Sequence, residues 1–600
     1  MYPCTPRWLT TTFLSFFPIL QWLPKYQIRR HLASDIIAGL TLSVIHIPQG
    51  MAWAALAEVK PVYGLYTSFL PPLIYMLFGT SPHTAIGTFA IASLLEGTFL
   101  TQNRANFGIP DPTKLGELLE ESTTPETSEA QLTDIQLLAT MTFTVGLVQI
   151  LMAIFRLDFI TRFLSDQVVR GYLTAAAFHV FTSQVPKLIG IPSERFCGPM
   201  KLYYIYRGHI SNMGKFHWFT AGISTVSICL LVILKDFVSP AIKSSVSTVP
   251  LPSELIVVIL TTIFSHSSDW EANRNVSVVG DIPRGIEFGM PQFYLVPRLF
   301  PFSAIIALVI YITTISLAAH FAREHHYKID MRQELYALGM TECVSSFFNC
   351  LPSATSMARG AVYEAAGVKT LLASVFSSGV LLLVLMFIGP LFYSLPYCVL
   401  AAIIVVALKR LLMQITDLRR LWPIAKVDFC IWMASFLSTL ALDVDYGLAA
   451  SLTFALVTVA LRAVWPTTSV LARLELPQNS PIDRFSKVRV CSDVGIFQFQ
   501  QSLLFVNAQS FRDSLQGAFG IELETLERHQ LSKTILELAR GGITTLLASL
   551  HTNVKRQLEE SDFYCHEMPF SHQFPTLSDA VRYARSTIDE ERSLSCETVH

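Results

Sequence analysis

The sequence predicts an α-helical polytopic membrane protein with fourteen membrane segments, followed by a small cytosolic α/β domain. Three observations lead there. Apolar runs recur between residues 36 and 465, in a chain that is 52% hydrophobic and 15% charged, with a mean hydropathy of +0.46; soluble domains carry about 25% charge. Two of the segments are short, rich in small residues and start at Pro/Gly-marked stretches, one in each half of the membrane region, which is the pattern of a midplane binding site. From about residue 481 the long apolar runs give way to short stretches, strand-like at 495–506 and 543–549 and helix-like at 508–515, 522–539, 552–560 and 577–585.

The first span covers residues 36–57 and holds Ile47-Pro48-Gln49-Gly50, read as a built-in break beside a polar side chain. Such breaks are tolerated at depth where the freed backbone lines a cavity. Residues 62–78 form the second span. The first short segment follows, Ser81-Pro82-His83-Thr84-Ala85-Ile86-Gly87-Thr88-Phe89 and on to Ser93, with Glu96 at its solvated outer end. Residues 101–131 carry six acidic side chains against Arg104 and Lys114, which suits an outer loop. Spans at 137–155 and 168–185 are joined by a turn with Arg156 and Arg162, placed inside by the positive-inside rule. Spans at 219–234 and 251–264 flank an inner turn with Lys235 and Lys243.

A third outer loop, 266–298, contains the N-glycosylation sequon Asn275-Val276-Ser277. The span at 300–321 ends at inner Arg323 and Lys328. Asp330 with Gln333 then reads as a capping pair opening the next helix. The second short segment is Leu351-Pro352-Ser353-Ala354-Thr355-Ser356-Met357-Ala358-Arg359-Gly360. Pro352 stops what precedes it; Ser353, Thr355 and Ser356 are candidate N-caps for a helix from Met357. Spans at 371–391, 396–408, 429–442 and 446–465 complete the set, with Asp443 and Asp445 in an outer turn. An even count puts both termini on the cytosolic side. The run at 9–22, broken by Pro18, reads as a surface segment rather than a signal peptide. The domains are therefore a cytosolic N-terminal segment, 1–32; a membrane domain, 33–466; an α/β domain, 481–590; and a tail, 591–600.

The chemistry sits in the short segments. A helix starting inside the bilayer aims unpaired N–H groups and the positive end of its dipole at the cavity before it. Arg359 adds a full charge at a depth where a cation costs about 2.5–3.5 kcal/mol even on the mild insertion scale, so that such residues line polar cavities. The pocket is built for an anion. No P-loop, H-E-x-x-H or G-x-S-x-G is present, which argues against an ATP-driven pump, a metallohydrolase or any other enzyme. The net charge of −1 gives no reason to expect nucleic acid, and ten scattered cysteines without C-x-x-C indicate neither a disulfide framework nor a zinc site; no cofactor is called for.

These residues resemble the sulfate permease (SulP) family of anion transporters, in its animal prestin–pendrin branch. The likeness rests on Pro61-Val62-Tyr63-Gly64-Leu65-Tyr66-Thr67-Ser68 with Gly79-Thr80-Ser81, on Val169-Arg170-Gly171-Tyr172-Leu173-Thr174, on Asp330 to Leu335 with Ala337-Leu338-Gly339, and on Asp445-Tyr446-Gly447-Leu448. The resemblance implies two inverted seven-helix repeats, a core domain sliding against a gate domain, a dimer, and a cytosolic STAS domain. It places the anion site on Gln49, Phe89, Ser356 and Arg359. Ala358 stands where several animal members carry a small polar residue, and Thr313 where proton-coupled members carry a glutamate, which favours exchange or uncoupled flow over proton symport. The STAS domain looks short, with a strand and its turn missing near residues 535–536.

Each site residue has a structural alternative. Arg359 attracts an anion, serves a structural pair or snorkels from an inner helix end; Ser356 lines the pocket or caps a helix; Phe89 offers its positive ring edge or packs. Gln49 donates to the anion or relieves Pro48, Thr313 lines the site or packs, and His46 senses pH or is a neutral hydrogen-bonded side chain. The leading expectation is a secondary transporter of small inorganic or organic anions (chloride, bicarbonate, sulfate or oxalate) in the plasma membrane. A voltage-responsive motor or channel-like member, a nucleobase permease and a non-transporting scaffold are the rivals.

Overall fold

The computed structural model describes residues 16–107, 109, 132–159, 166–192, 196, 198–241, 252–464 and, beyond these, 468–471, 494, 496–499, 507–519, 538–539, 543–550, 555 and 569–597. The chain divides into two compact units, Met1–Ala455 and Leu456–His600.

The first unit is helical apart from two short strands. In chain order it contains α1 (Ile28–Leu56), α2 (Pro61–Phe78), β1 (Ile86–Thr88), α3 (Ala90–Asn103), α4 (Asp134–Ile154), α5 (Asp166–Ile189), α6 (Lys201–Ser211), α7 (Trp218–Val232), α8 (Ser253–Ser267) and α9 (Val296–Glu324). Next come α10 (Met331–Ser345), β2 (Ser353–Thr355), α11 (Met357–Ala365), α12 (Ala373–Leu383), α13 (Tyr397–Met413), α14 (Lys426–Leu442) and α15 (Val444–Val464), the last of which crosses the unit boundary. Among the described residues, seven helical stretches are long and apolar enough to cross a membrane: Ile28–Leu56, Asp134–Ile154, Trp218–Ala241, Phe293–Glu324, Ala373–Phe392, Tyr397–Pro423 and Val444–Arg462. At the other expected positions stand α2, α3, α5, α8, α10, α11 and α14, shorter or more polar.

Close packing of small residues joins these helices, as it must where lipid supplies no hydrophobic drive between them. A Cβ on Gly64 of α2 would lie 1.9 Å from the Gly50 carbonyl oxygen of α1. Gly146 of α4 and Gly339 of α10 face each other the same way, a Cβ on either lying 2.7 or 2.9 Å from the other's carbonyl oxygen. α4 starts at a capping box in which Thr133 and Gln136 satisfy each other's backbone N–H. Asp330 caps α10 by accepting from the N–H groups of Arg332 and Gln333.

Several expectations are corrected. α1 is continuous through Pro48; a proline removes only one helical hydrogen bond, and the Gly50–Gly64 approach holds the helix at that level. Gln333 does not complete a capping box: its amide donates to the carbonyls of Phe16 and Phe78. Residues 9–15 lie outside the described residues; in the rest of the expected surface segment Leu20 and Gln21 are exposed, while Phe16 and Phe17 pack their rings on Phe78. Glu96 is fully buried, not solvated. Asp443 does form the turn before α15, but it is 4% exposed and ion-paired with Lys201, its Oδ2 3.1 Å from the Lys201 Nζ.

In the second unit β3 (Thr468–Leu471) pairs antiparallel with β4 (Ile496–Phe499). α16 (Ala508–Phe519) follows, then β5 (Leu547–Ala548) parallel to β6 (Gln573–Phe574), and α17 (Leu577–Glu597). β4, α16, β5 and α17 fall where the sequence predicts strand, helix, strand and helix. β3 precedes residue 481, so the paired segment starts earlier than the sequence indicates. The expected helix at 522–539 lies outside the described residues except for 538–539, as does the shortened stretch near 535–536.

Candidate functional site: a crossed strand pair and one buried arginine

β1 and β2 come from opposite halves of the first unit and pair antiparallel, Ile86 with Thr355, Gly87 with Ala354 and Thr88 with Ser353. Each strand runs straight into a helix. Phe89 is extended (φ −135°, ψ 129°) and leads into α3; Ser356 is extended (φ −122°, ψ 135°) and leads into α11. The antiparallel register sets the start of each helix beside the entry to the other strand. Neither junction residue caps its helix with its side chain, so the first-turn N–H groups stay available to whatever lies in front of them. Here the sequence reading is corrected: Ser353 and Thr355 belong to a strand and do not act as caps.

The strand pair is fastened from behind. The Ser353 N–H and hydroxyl both donate to Glu342 Oε1 of α10 at 2.8 Å. Leu351 N–H donates to Thr67 Oγ1 at 2.8 Å, and Thr142 donates to the Cys350 carbonyl at 2.9 Å. Glu334 of α10 accepts from Tyr75 and from the Thr80 N–H. The family-like strings Gly79-Thr80-Ser81 and Asp330 to Leu335, far apart in sequence, therefore meet at one carboxylate.

Arg359 lies one turn into α11 and is 1% exposed. Its Nη1 donates to the Thr88 carbonyl and its Nη2 to the Ala354 carbonyl at 2.8 Å. It thus clasps both strands, and its Nε has no partner. Among the described residues no carboxylate ion-pairs with it; Glu254 of α8 acts on it only electrostatically. Carbonyl dipoles orient a guanidinium but do not cancel its charge. Gly87 sits between charge and ring: a Cβ there would be 3.6 Å from Arg359 Cζ and 3.4 Å from His46 Cε1.

Of the other expected site residues, Phe89 is 8% exposed at the α3 junction, and Ser356 and Ala358 are half-buried at the start of α11. Gln49 lies one turn beyond His46 and is 4% exposed; its Nε2 donates to Glu254 Oε1 and Oε2 at 3.3 and 3.1 Å. Thr313 makes its hydrogen bonds within its own helix: its hydroxyl donates to the Val309 and Ile310 carbonyls, and it lines a small apolar cleft with Val168, Tyr172 and Leu448. Its neighbour Thr314 reaches the strand pair instead, accepting from the Thr355 N–H at 3.4 Å. Asn275 is exposed in the left-handed conformation at the end of a short helix (Trp270–Arg274).

Sequence reasoning missed two acidic residues. Glu254 carries no local signal beyond a charge at a helix start. Glu342 sat within an expected span, where a buried carboxyl is itself the signal.

A crossed pair of helix-leading strands with a buried cation, inside a bundle of apolar helices, defines a membrane transporter of anions. A family model described as the sulfate permease family matches residues 32–435. The chain belongs to that family. It is 36% identical to Prestin of Danio rerio over 527 residues, 87% of this chain and 70% of that one. It is 34% identical to Solute carrier family 26 member 6 of Homo sapiens over 567 residues, 91% of this chain and 72% of that one. To the human Sulfate transporter the identity is 32% over 523 residues, 85% and 70% of the two chains. Among solved structures, SLC26A9 superposes with a TM-score of 0.82 at 24% identity, covering 99% of this chain and 96% of that one. Murine Slc26a9 in the inward-facing state also gives 0.82, at 25% identity, covering 98% and 96%. The chain is thus a multi-pass membrane protein of an anion-transporting family, not an enzyme.

Proposed function

We propose that this protein is a secondary anion transporter that exchanges chloride, bicarbonate, sulfate or oxalate across the plasma membrane. The anion sits before the N-termini of α3 and α11, bordered by Gln49, Phe89 and Ser356, in the positive potential of Arg359. The observation that carries the reading is the guanidinium buried against two carbonyls with its charge unpaired among the described residues. A charge held this way stabilises an anion nearby without touching it. Ala358 supplies no hydroxyl, so the contact there is backbone N–H alone. The helices at the expected positions make up fourteen segments in two inverted repeats, and the strand pair with α3 and α11 travels as one body in an elevator-like motion. Both termini are cytosolic, Asn275 is glycosylated outside, the chains act as homodimers, and the second unit is a STAS domain.

The test is an anion-flux panel on the full chain in proteoliposomes loaded with chloride. Uptake of radiolabelled sulfate or oxalate that requires internal chloride is expected. Uptake indifferent to internal chloride overturns exchange, and no flux of any tested anion overturns transport.

A further inference from the structure

The Gln49 amide, one of the donors assigned to the anion, is already engaged by a carboxylate of the protein itself. Glu254 is 6% exposed and lies at the start of α8, 205 residues along the chain from Gln49. Both its oxygens accept from Gln49 Nε2. On its other side Lys235, which follows α7, donates to Oε1 at 3.2 Å. The Lys235 side chain is 39% exposed against 8% for Glu254, so the carboxylate is the more deeply buried of the pair, on the side of Gln49. Glu254 is also the carboxylate whose charge reaches Arg359. A carboxylate is chemically a small oxyanion, and Glu254 holds the amide, and acts through its charge on the guanidinium, that would greet a transported one.

We propose that Glu254 is a built-in competitor for the transported anion, and that Lys235 draws it away from Gln49 when the anion binds. This rests on the reading of Gln49 and Arg359 as the anion site. An incoming anion frees the Gln49 amide by displacing the Glu254 carboxylate, which stays paired to Lys235. Removing the negative charge tightens anion binding through both a free donor and lost like-charge repulsion. Removing Lys235 leaves the carboxylate with Gln49 as its partner and weakens binding. A merely structural bridge does not produce shifts of opposite sign.

The test uses the purified full-length chain with sodium sulfate as the probe, read in two ways: half-saturation of radiolabelled sulfate uptake into proteoliposomes, and the sulfate concentration giving half-maximal thermal stabilisation in detergent. Glu254→Gln is expected to lower both about tenfold, the size of one charged hydrogen bond. Glu254→Asp stays within about threefold of wild type, and Lys235→Met raises both several-fold. A Glu254→Gln variant that folds and shows unchanged or weaker sulfate affinity overturns the proposal. If that variant does not fold, Lys235→Met decides alone: unchanged or tighter affinity overturns it. A wild type that binds sulfate without carrying it sinks the transport reading and leaves the competition readable in the melts. A wild type that neither binds nor carries sulfate, chloride or oxalate overturns both.

Discussion

Replacing Arg359 by glutamine separates its two roles, clasp and charge. As a clasp, Arg359 makes two charge-assisted hydrogen bonds, to Thr88 and Ala354, together about 3–6 kcal/mol. Against that stand the several kcal/mol that a guanidinium costs out of water, and one bond that the glutamine amide can remake. The stability terms nearly cancel. The electrostatic term does not: a unit charge about 5 Å from an anion at an effective dielectric of about 20 contributes about 3 kcal/mol, or about 150-fold in affinity. Arg359→Gln should therefore melt within a few degrees of wild type and reach the membrane in equal amount, while half-saturation for sulfate rises about 100-fold; Arg359→Glu should abolish uptake. The measurements are a detergent melt, surface biotinylation and radiolabelled uptake. Undiminished affinity in Arg359→Gln refutes the electrostatic role. A large fall in melting temperature with wild-type affinity in the folded fraction shows a clasp and nothing more.

Gly64→Ala places a methyl 1.9 Å from the Gly50 carbonyl, so α1 and α2 must separate by more than about 1 Å, at the upper end of the roughly 1–3 kcal/mol cost of overpacking; a lower melting temperature together with reduced uptake is expected. Lys201→Met takes the lysine partner from buried Asp443, leaving it the His179 ring and the Val444 N–H, and takes the contact from Thr98. It should lower stability by about 3–5 kcal/mol, and Asp443→Asn in the same chain should recover part of it, as read by melts of the single and double variants. Asn275→Gln should raise the electrophoretic mobility of protein made in glycan-adding cells, and enzymatic deglycosylation of the wild type should give the same mobility.

Helix positions were legible because lipid imposes a simple rule: backbone polar groups must be paired within the segment, and apolar side chains must cover it. Hence α1, α4, α9 and α13 lie where the hydropathy puts them, with ends differing by several residues. The importance of Ser353 to Arg359 was legible for the opposite reason, since polar and small residues at depth break that rule. Among the described residues seven helical stretches are long and apolar enough to cross a membrane, whereas α3 and α11, at 14 and 9 residues, are shorter and each follows directly on a strand.

By itself the sequence determined the class of protein, the two half-segments and the guanidinium between them, because each is a local departure from membrane composition. Only the tertiary structure decided that the half-segments pair as strands, that Arg359 clasps both, that Thr314 rather than Thr313 reaches them, and that Gln49 is held by Glu254. The strand pairing, the Arg359–Thr88 bond and the Gln49–Glu254 bond join residues some 200 to 270 positions apart. No periodicity within a segment encodes the partner across such a separation; packing of the whole bundle selects it.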